Sequence, residues 1–164
     1  MQSSDDSINR SAIAARIATL TRSEEVRVLV VDDDDLELAL IVDRLRSCGL
    51  RITGARDGQE AFELQQRERF PVVITDWHMP GVDGIEFTER VRAAGMDETY
   101  IIMLTASSSA FDYERGYLAG VDDYLTKQQP EAELLARLYA AVNVFALRRS
   151  LKEAQAALAA ARDS

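Results

Sequence analysis

From Val26 onward the chain repeats one unit five times: a short β-branched run, then a stretch whose apolar residues fall at helical spacing. The runs VRVLVV, FPVVITD and YIIMLTA are almost wholly apolar, as strands buried on both faces must be. RITGA and VDDYLTK complete the set. Leu36, Ala39, Leu40, Val42 and Leu45 mark the first intervening helix, through Ser47, closed by the glycine of CGL. Asp57 is placed to cap DGQEAFELQQRER, Gly95 ends IEFTERVRAAG, and SAFDYERGYLAG is a short fourth helix. From Pro130, a favoured residue at helix starts, one long helix runs to the end. Strands joined by helices must cross over, and that connection makes neighbours parallel. The pattern therefore predicts an α/β fold with a parallel sheet and helices on both faces.

In such sheets ligands gather beyond the carboxyl ends of the strands. The first strand ends at Asp32 and Asp33, the third at Asp76, the fourth at Thr105 and the fifth at Lys127. Clustered carboxylates repel, and burial costs each of them hydration. A hard divalent ion with oxygen ligands, such as Mg²⁺, resolves the conflict. Asp34 and Asp35 stand where a helix begins, and capping with dipole complementation accounts for them. His78, the single histidine, is expected as an exposed side chain above the site, and Trp77 as a packing residue beside it. Gly81 and Gly84 serve the backbone of the loop after Asp76. Asp122 and Asp123 are expected to solvate a loop or a strand edge.

Composition removes several classes of function. A net charge of −9 argues against direct nucleic-acid binding by this chain. One cysteine, Cys48, permits neither an internal disulfide nor a cysteine metal cage, and it is expected to pack as a small hydrophobe. The N-terminus lacks the basic start and apolar run of a signal peptide, and no apolar run reaches membrane-spanning length. A cytoplasmic protein is the expectation.

Taken in order, VLVVDDDD, VVITDWHMPGVDG, IIMLTA and DDYLTK resemble the receiver domain of two-component response regulators, over roughly residues 26–144. The resemblance implies a flavodoxin-like five-stranded sheet of order 2-1-3-4-5. It implies that Asp76 is the phosphoacceptor, taking a phosphoryl group from a phosphohistidine on a sensor histidine kinase or phosphotransfer protein. Asp33 would bind Mg²⁺ (or Mn²⁺) directly, Asp32 would assist through a metal-bound water, and the backbone carbonyl of His78 would be a further ligand. Thr105 would hydrogen-bond a phosphoryl oxygen. Lys127 would pair with Asp76 before transfer and with the phosphoryl group after it. Tyr124 would be the aromatic residue that moves inward on activation. Such a domain is a phosphoacceptor with slow autodephosphorylation, not an enzyme in its own right.

Three features depart from that family. Its proline after the lysine is replaced by Gln128, in KQQP, which raises the question of the Lys127–Gln128 peptide. An additional N-terminal helix is expected from Ser7 to Leu20, making residues 1–24 an extension to a receiver at 25–144. Residues 145–164 extend the last helix, and Val144, Leu147, Leu151, Ala154, Leu158 and Ala161 alternate by three and four as a heptad seam. On another face Leu134, Leu135, Leu138, Val142 and Phe145 should pack on the sheet. A homodimer through these C-terminal helices is expected, and the extension resembles linkers to output domains such as diguanylate cyclases. The competing interpretation is a receiver-like interaction module that assembles without phosphorylation. A phosphohydrolase with an aspartate nucleophile would need a second aspartate at the place His78 occupies.

Overall fold

The computed structural model describes residues 26–106 and 110–164, together with residues 11–12 and 15–16. Of the expected N-terminal helix only those four residues are described, and they are helical; the rest of it lies outside the described residues. The elements run β1 (Arg27–Val31), α1 (Asp35–Ser47), β2 (Arg51–Ala55), α2 (Gly58–Glu68), β3 (Val72–Asp76), α3 (Gly84–Ala93), β4 (Tyr100–Thr105), α4 (Ala110–Ala119), β5 (Asp123–Thr126) and α5 (Glu131–Arg162). All strands are parallel in the order β2-β1-β3-β4-β5, as the resemblance implied.

Alternation along each strand divides the core. Val28, Val30, Val72, Ile74, Ile102 and Leu104 face one layer, where Val42 and Leu45 of α1 and Leu135, Leu138 and Val142 of α5 cover them. Leu29, Val31, Val73 and Ile101 face the other, under Ala61 of α2 and Phe87 and Val91 of α3. With both faces covered, no strand position can be polar without a partner, which is why the central strands read as unbroken apolar runs.

The expected caps are present. Asp34 accepts from the backbone N–H groups of Leu36 and Glu37 at 2.9 and 3.0 Å, and Asp57 from Glu60 at 2.7 Å. Gly49, just after α1, has φ +83°, which a glycine adopts without strain. Cys48 is the half-buried C-cap of α1, packed at the core's edge.

Helix α5 spans 32 residues, roughly 48 Å. Leu135 and Leu138 are 0% and 1% exposed, whereas Leu147, Leu151 and Leu158 are 70%, 60% and 64% exposed. Leu135, Leu138 and Val142 thus form the expected sheet-facing side, whereas Leu134 and Phe145 are only half-buried. Val144 packs at the edge of the core, so the exposed seam starts at Leu147. Leu147 lies on the side of the helix turned away from the sheet; on the sheet-facing side burial is lost after Phe145, and every residue from Arg149 on is exposed.

Candidate functional site

The hydrogen bonds that end β1 and β3 deliver their last carboxylates to one rim. Asp32 donates its backbone N–H to Ala55 and accepts the Asp34 N–H on Oδ1 at 2.9 Å, which holds its side chain 1% exposed over the sheet. Asp76 closes β3 opposite Leu104 and is 8% exposed. Asp33, on the loop into α1, is exposed. Asp32, Asp33 and Asp76 each offer an oxygen, and these lie within 4.8 Å of one another.

Lys127 supplies the facing cation. Its backbone N–H bonds the Thr105 carbonyl at 3.0 Å, which seats it at the end of β5. Its Nζ lies 3.2 Å from Asp76 Oδ2 and 3.3 Å from Asp32 Oδ2. No cis peptide occurs among the described residues, so Lys127 and Gln128 are joined in the ordinary trans form. A turn in which Gln129 N–H reaches the Thr126 carbonyl at 3.2 Å carries the chain on to α5.

The third partner of Nζ was not foreseen. Glu37 Oε2 makes the shortest of the three contacts, from the first turn of α1. In sequence Glu37 resembles any acidic residue complementing a helix dipole. Its one distinguishing mark is its place in the first turn of α1, the helix end that follows the exit of β1.

The electrostatics reflect this crowding. Burial pushes the Asp32 carboxyl up to about 6; the Asp34 N–H and Lys127 pull it down, and the charge of Asp76 adds to the rise. Burial likewise raises Asp76, against the opposing pull of Lys127. Burial disfavours the Lys127 charge, but Glu37, Asp76 and Asp32 outweigh it and keep the ammonium protonated. The donor set is all oxygen and strongly anionic, which fits a hard divalent cation.

Around this rim the other expected residues take their places. Thr105 ends β4 and is 2% exposed. His78 is exposed and stacks on the buried ring of Trp77 at 5.1 Å between centroids. Gly84 lets the intervening loop close, since a Cβ there would meet the Asp76 carbonyl at 2.3 Å. Tyr124 is buried on β5 among Trp77, Tyr113 and Tyr117, its hydroxyl 3.4 Å from the Asp112 carbonyl. Burial first, then neighbouring Tyr117 and Asp112, pushes that hydroxyl up to about 12. A Cβ at Gly116 would sit 1.1 Å from it, so α4 must carry glycine where it crosses the ring.

Asp122 and Asp123 correct an expectation. Neither serves to solvate a loop or strand edge: their side chains are 12% and 15% exposed and paired with arginines. Asp122 binds Arg92 at 2.9 Å, Arg148 at 2.6 Å and the Ile101 N–H at 2.8 Å; Asp123 binds Arg137 at 3.1 Å. They face α5 and the end of α3, whose arginines no local pattern in the sequence pairs with them.

Residues 28–139 match the family model described as the response regulator receiver domain. The uncharacterized transcriptional regulatory protein YrkP of Bacillus subtilis is 38% identical over 127 residues, 77% of this chain and 54% of that protein. This chain thus spans about half the length of that relative. The Vibrio cholerae chemotaxis protein CheY4 superposes with a TM-score of 0.67 at 31% identity, covering 71% of this chain and 98% of that one. A chain in the co-crystal of the Saccharomyces cerevisiae phosphotransfer protein Ypd1 with the receiver domain of Ssk1 superposes at 0.62, with 27% identity, covering 67% and 83%.

Proposed function

This chain belongs to the response regulator receiver domain family of two-component signalling, and on that footing we propose that it is switched by phosphorylation of Asp76. The observation that carries the proposal is the convergence of Asp32, Asp33 and Asp76 within 4.8 Å, with Lys127 Nζ at 3.2 Å from Asp76. In the transfer, an Asp76 carboxylate oxygen attacks the phosphorus of a phosphohistidine on a kinase or phosphotransfer protein. The new O–P bond forms as the N–P bond breaks, and the imidazole leaves with that electron pair.

Each residue has a task that its position allows. Asp32, Asp33, Asp76 and the His78 carbonyl would hold Mg²⁺ or Mn²⁺, which when bound offsets the negative charge of acceptor and phosphoryl oxygens. Lys127 follows the charge from the carboxylate to the phosphoryl group, as a mobile ammonium can. Thr105, two strands from Asp32, donates its hydroxyl to a phosphoryl oxygen. Tyr124, lodged beneath α4, registers the change and biases an equilibrium between two packings of the α4–β5 surface. The exposed leucines of α5 join two copies and pass the state to an output domain or partner. A phosphorylation-independent assembly module is the second reading, favoured by that same exposed seam and by Gln128 after the lysine.

Intact-mass spectrometry after incubation with a small phosphodonor and Mg²⁺ tests the first reading. The wild type gains one phosphate and Asp76→Asn gains none; equal gain by both proteins would exclude Asp76. Sedimentation of the same samples reports assembly. A change on phosphorylation fits a switched dimer, and a dimer in every sample favours the second reading.

A further inference from the structure

A lysine ammonium has three donors, and here all three are engaged by carboxylates: Asp32, Asp76 and Glu37. Two of these partners belong to the group of oxygens that fits a divalent cation; Glu37 does not. Glu37 approaches from α1, with its side chain 45% exposed, and makes the closest contact of the three. The lysine stem runs from the end of β5, and its head reaches Glu37 on α1.

The geometry points to Glu37 as a positioning residue that competes with the phosphoryl group for Lys127. The inference rests on the proposed phosphoacceptor role of Asp76. Its physics has two opposed consequences. By drawing the ammonium toward α1, and by adding one negative charge beside the cluster, Glu37 leaves Asp32 and Asp76 more available to a divalent cation. By the same contact it makes Lys127 harder to recruit to a phosphoryl oxygen, because a charge-assisted hydrogen bond must first be weakened. Glu37 thus favours the loaded, unphosphorylated state and sets the gain of the switch.

Glu37→Gln keeps the shape and removes the charge. Calorimetric titration with Mg²⁺, then with beryllofluoride at saturating Mg²⁺, reads the two consequences separately. The expected result for Glu37→Gln is Mg²⁺ binding weakened by about three- to fivefold and beryllofluoride binding tightened by a similar factor, the range expected for a part-exposed ion pair. In a Lys127→Ala background the effect of Glu37→Gln on beryllofluoride should vanish, since the competed-for group is gone. A shift in the same direction for both ligands, no shift in either, or an unchanged effect without Lys127 would overturn the role of Glu37 while leaving the receiver reading intact. Failure of the wild type to bind beryllofluoride would instead overturn both.

Discussion

Two groups of charges lie within the same domain and obey opposite rules. At the carboxyl ends of the strands, Asp32, Asp76 and Glu37 surround one ammonium, and Asp33 lies beside the first two. Beside α5, acids and bases are matched: Asp122 with Arg92 and Arg148, Asp123 with Arg137, Glu98 with Lys152. Arg92 also donates to the carbonyls of Gly120, Met96 and Thr99, closing the ends of α3, α4 and the loop before β4. The first group is held by the fold at a cost; the second holds the fold. The contrast teaches that acid content alone does not mark a site. A surplus of one sign, gathered by separate strands and left for something else to neutralise, does.

The comparison is most exposed to failure at Arg92. Arg92→Ala should lower stability by about 3 kcal/mol, because several carbonyls and one side of Asp122 lose a buried partner. Mg²⁺ affinity should stay within about twofold. Denaturant unfolding and calorimetry check both halves; a stability loss under about 1 kcal/mol would erase the distinction.

Asp32→Asn should act in the opposite direction. The folded-state carboxyl titrates near 6, above its ordinary value of 3.8, so between those pH values the folded state holds more protons than the unfolded one. Stability from this group is therefore complete below about pH 4 and is lost as pH rises through 6. In chelator at pH 7, Asp32→Asn should be more stable than wild type by up to about 3 kcal/mol, and the gap should close near pH 4. Saturating Mg²⁺ should reverse the order at neutral pH. Melting curves of the two proteins across that range, with and without the ion, decide it, and a wild type more stable than the variant in chelator at pH 7 would refute the crowding argument.

The smallest effect belongs to the outermost pair of the clasp. Lys152 and Glu98 are 3.1 Å apart, with side chains 60% and 22% exposed. Water screens such a contact, so Lys152→Ala should change stability by less than about 0.5 kcal/mol. A loss several times larger would mean that the α5 extension is clamped to its own domain far more tightly than exposed charges allow.

The chain by itself determined its elements and the identity of its strand-end residues. Strand runs, helix spacing and the Asp34 and Asp57 caps depend on neighbours a few residues apart, so VLVV followed by aspartates already announces a buried strand with acids at its exit. The direction of those exits follows from the crossovers, which is why Asp32, Asp33, Asp76, Thr105 and Lys127 could be named in advance and were found at one rim. Tertiary structure alone decided what each charge meets. Glu37 touches Lys127 across 90 positions, and Asp122 meets Arg148 across 26, and no periodicity carries information over such gaps. It also decided where α5 leaves the sheet: along its sheet-facing side Leu138 and Val142 are buried, Phe145 is half-buried and Arg149 is exposed. Hydrophobic spacing marks a side of a helix, but only the extent of the sheet beneath fixes how far that side stays covered.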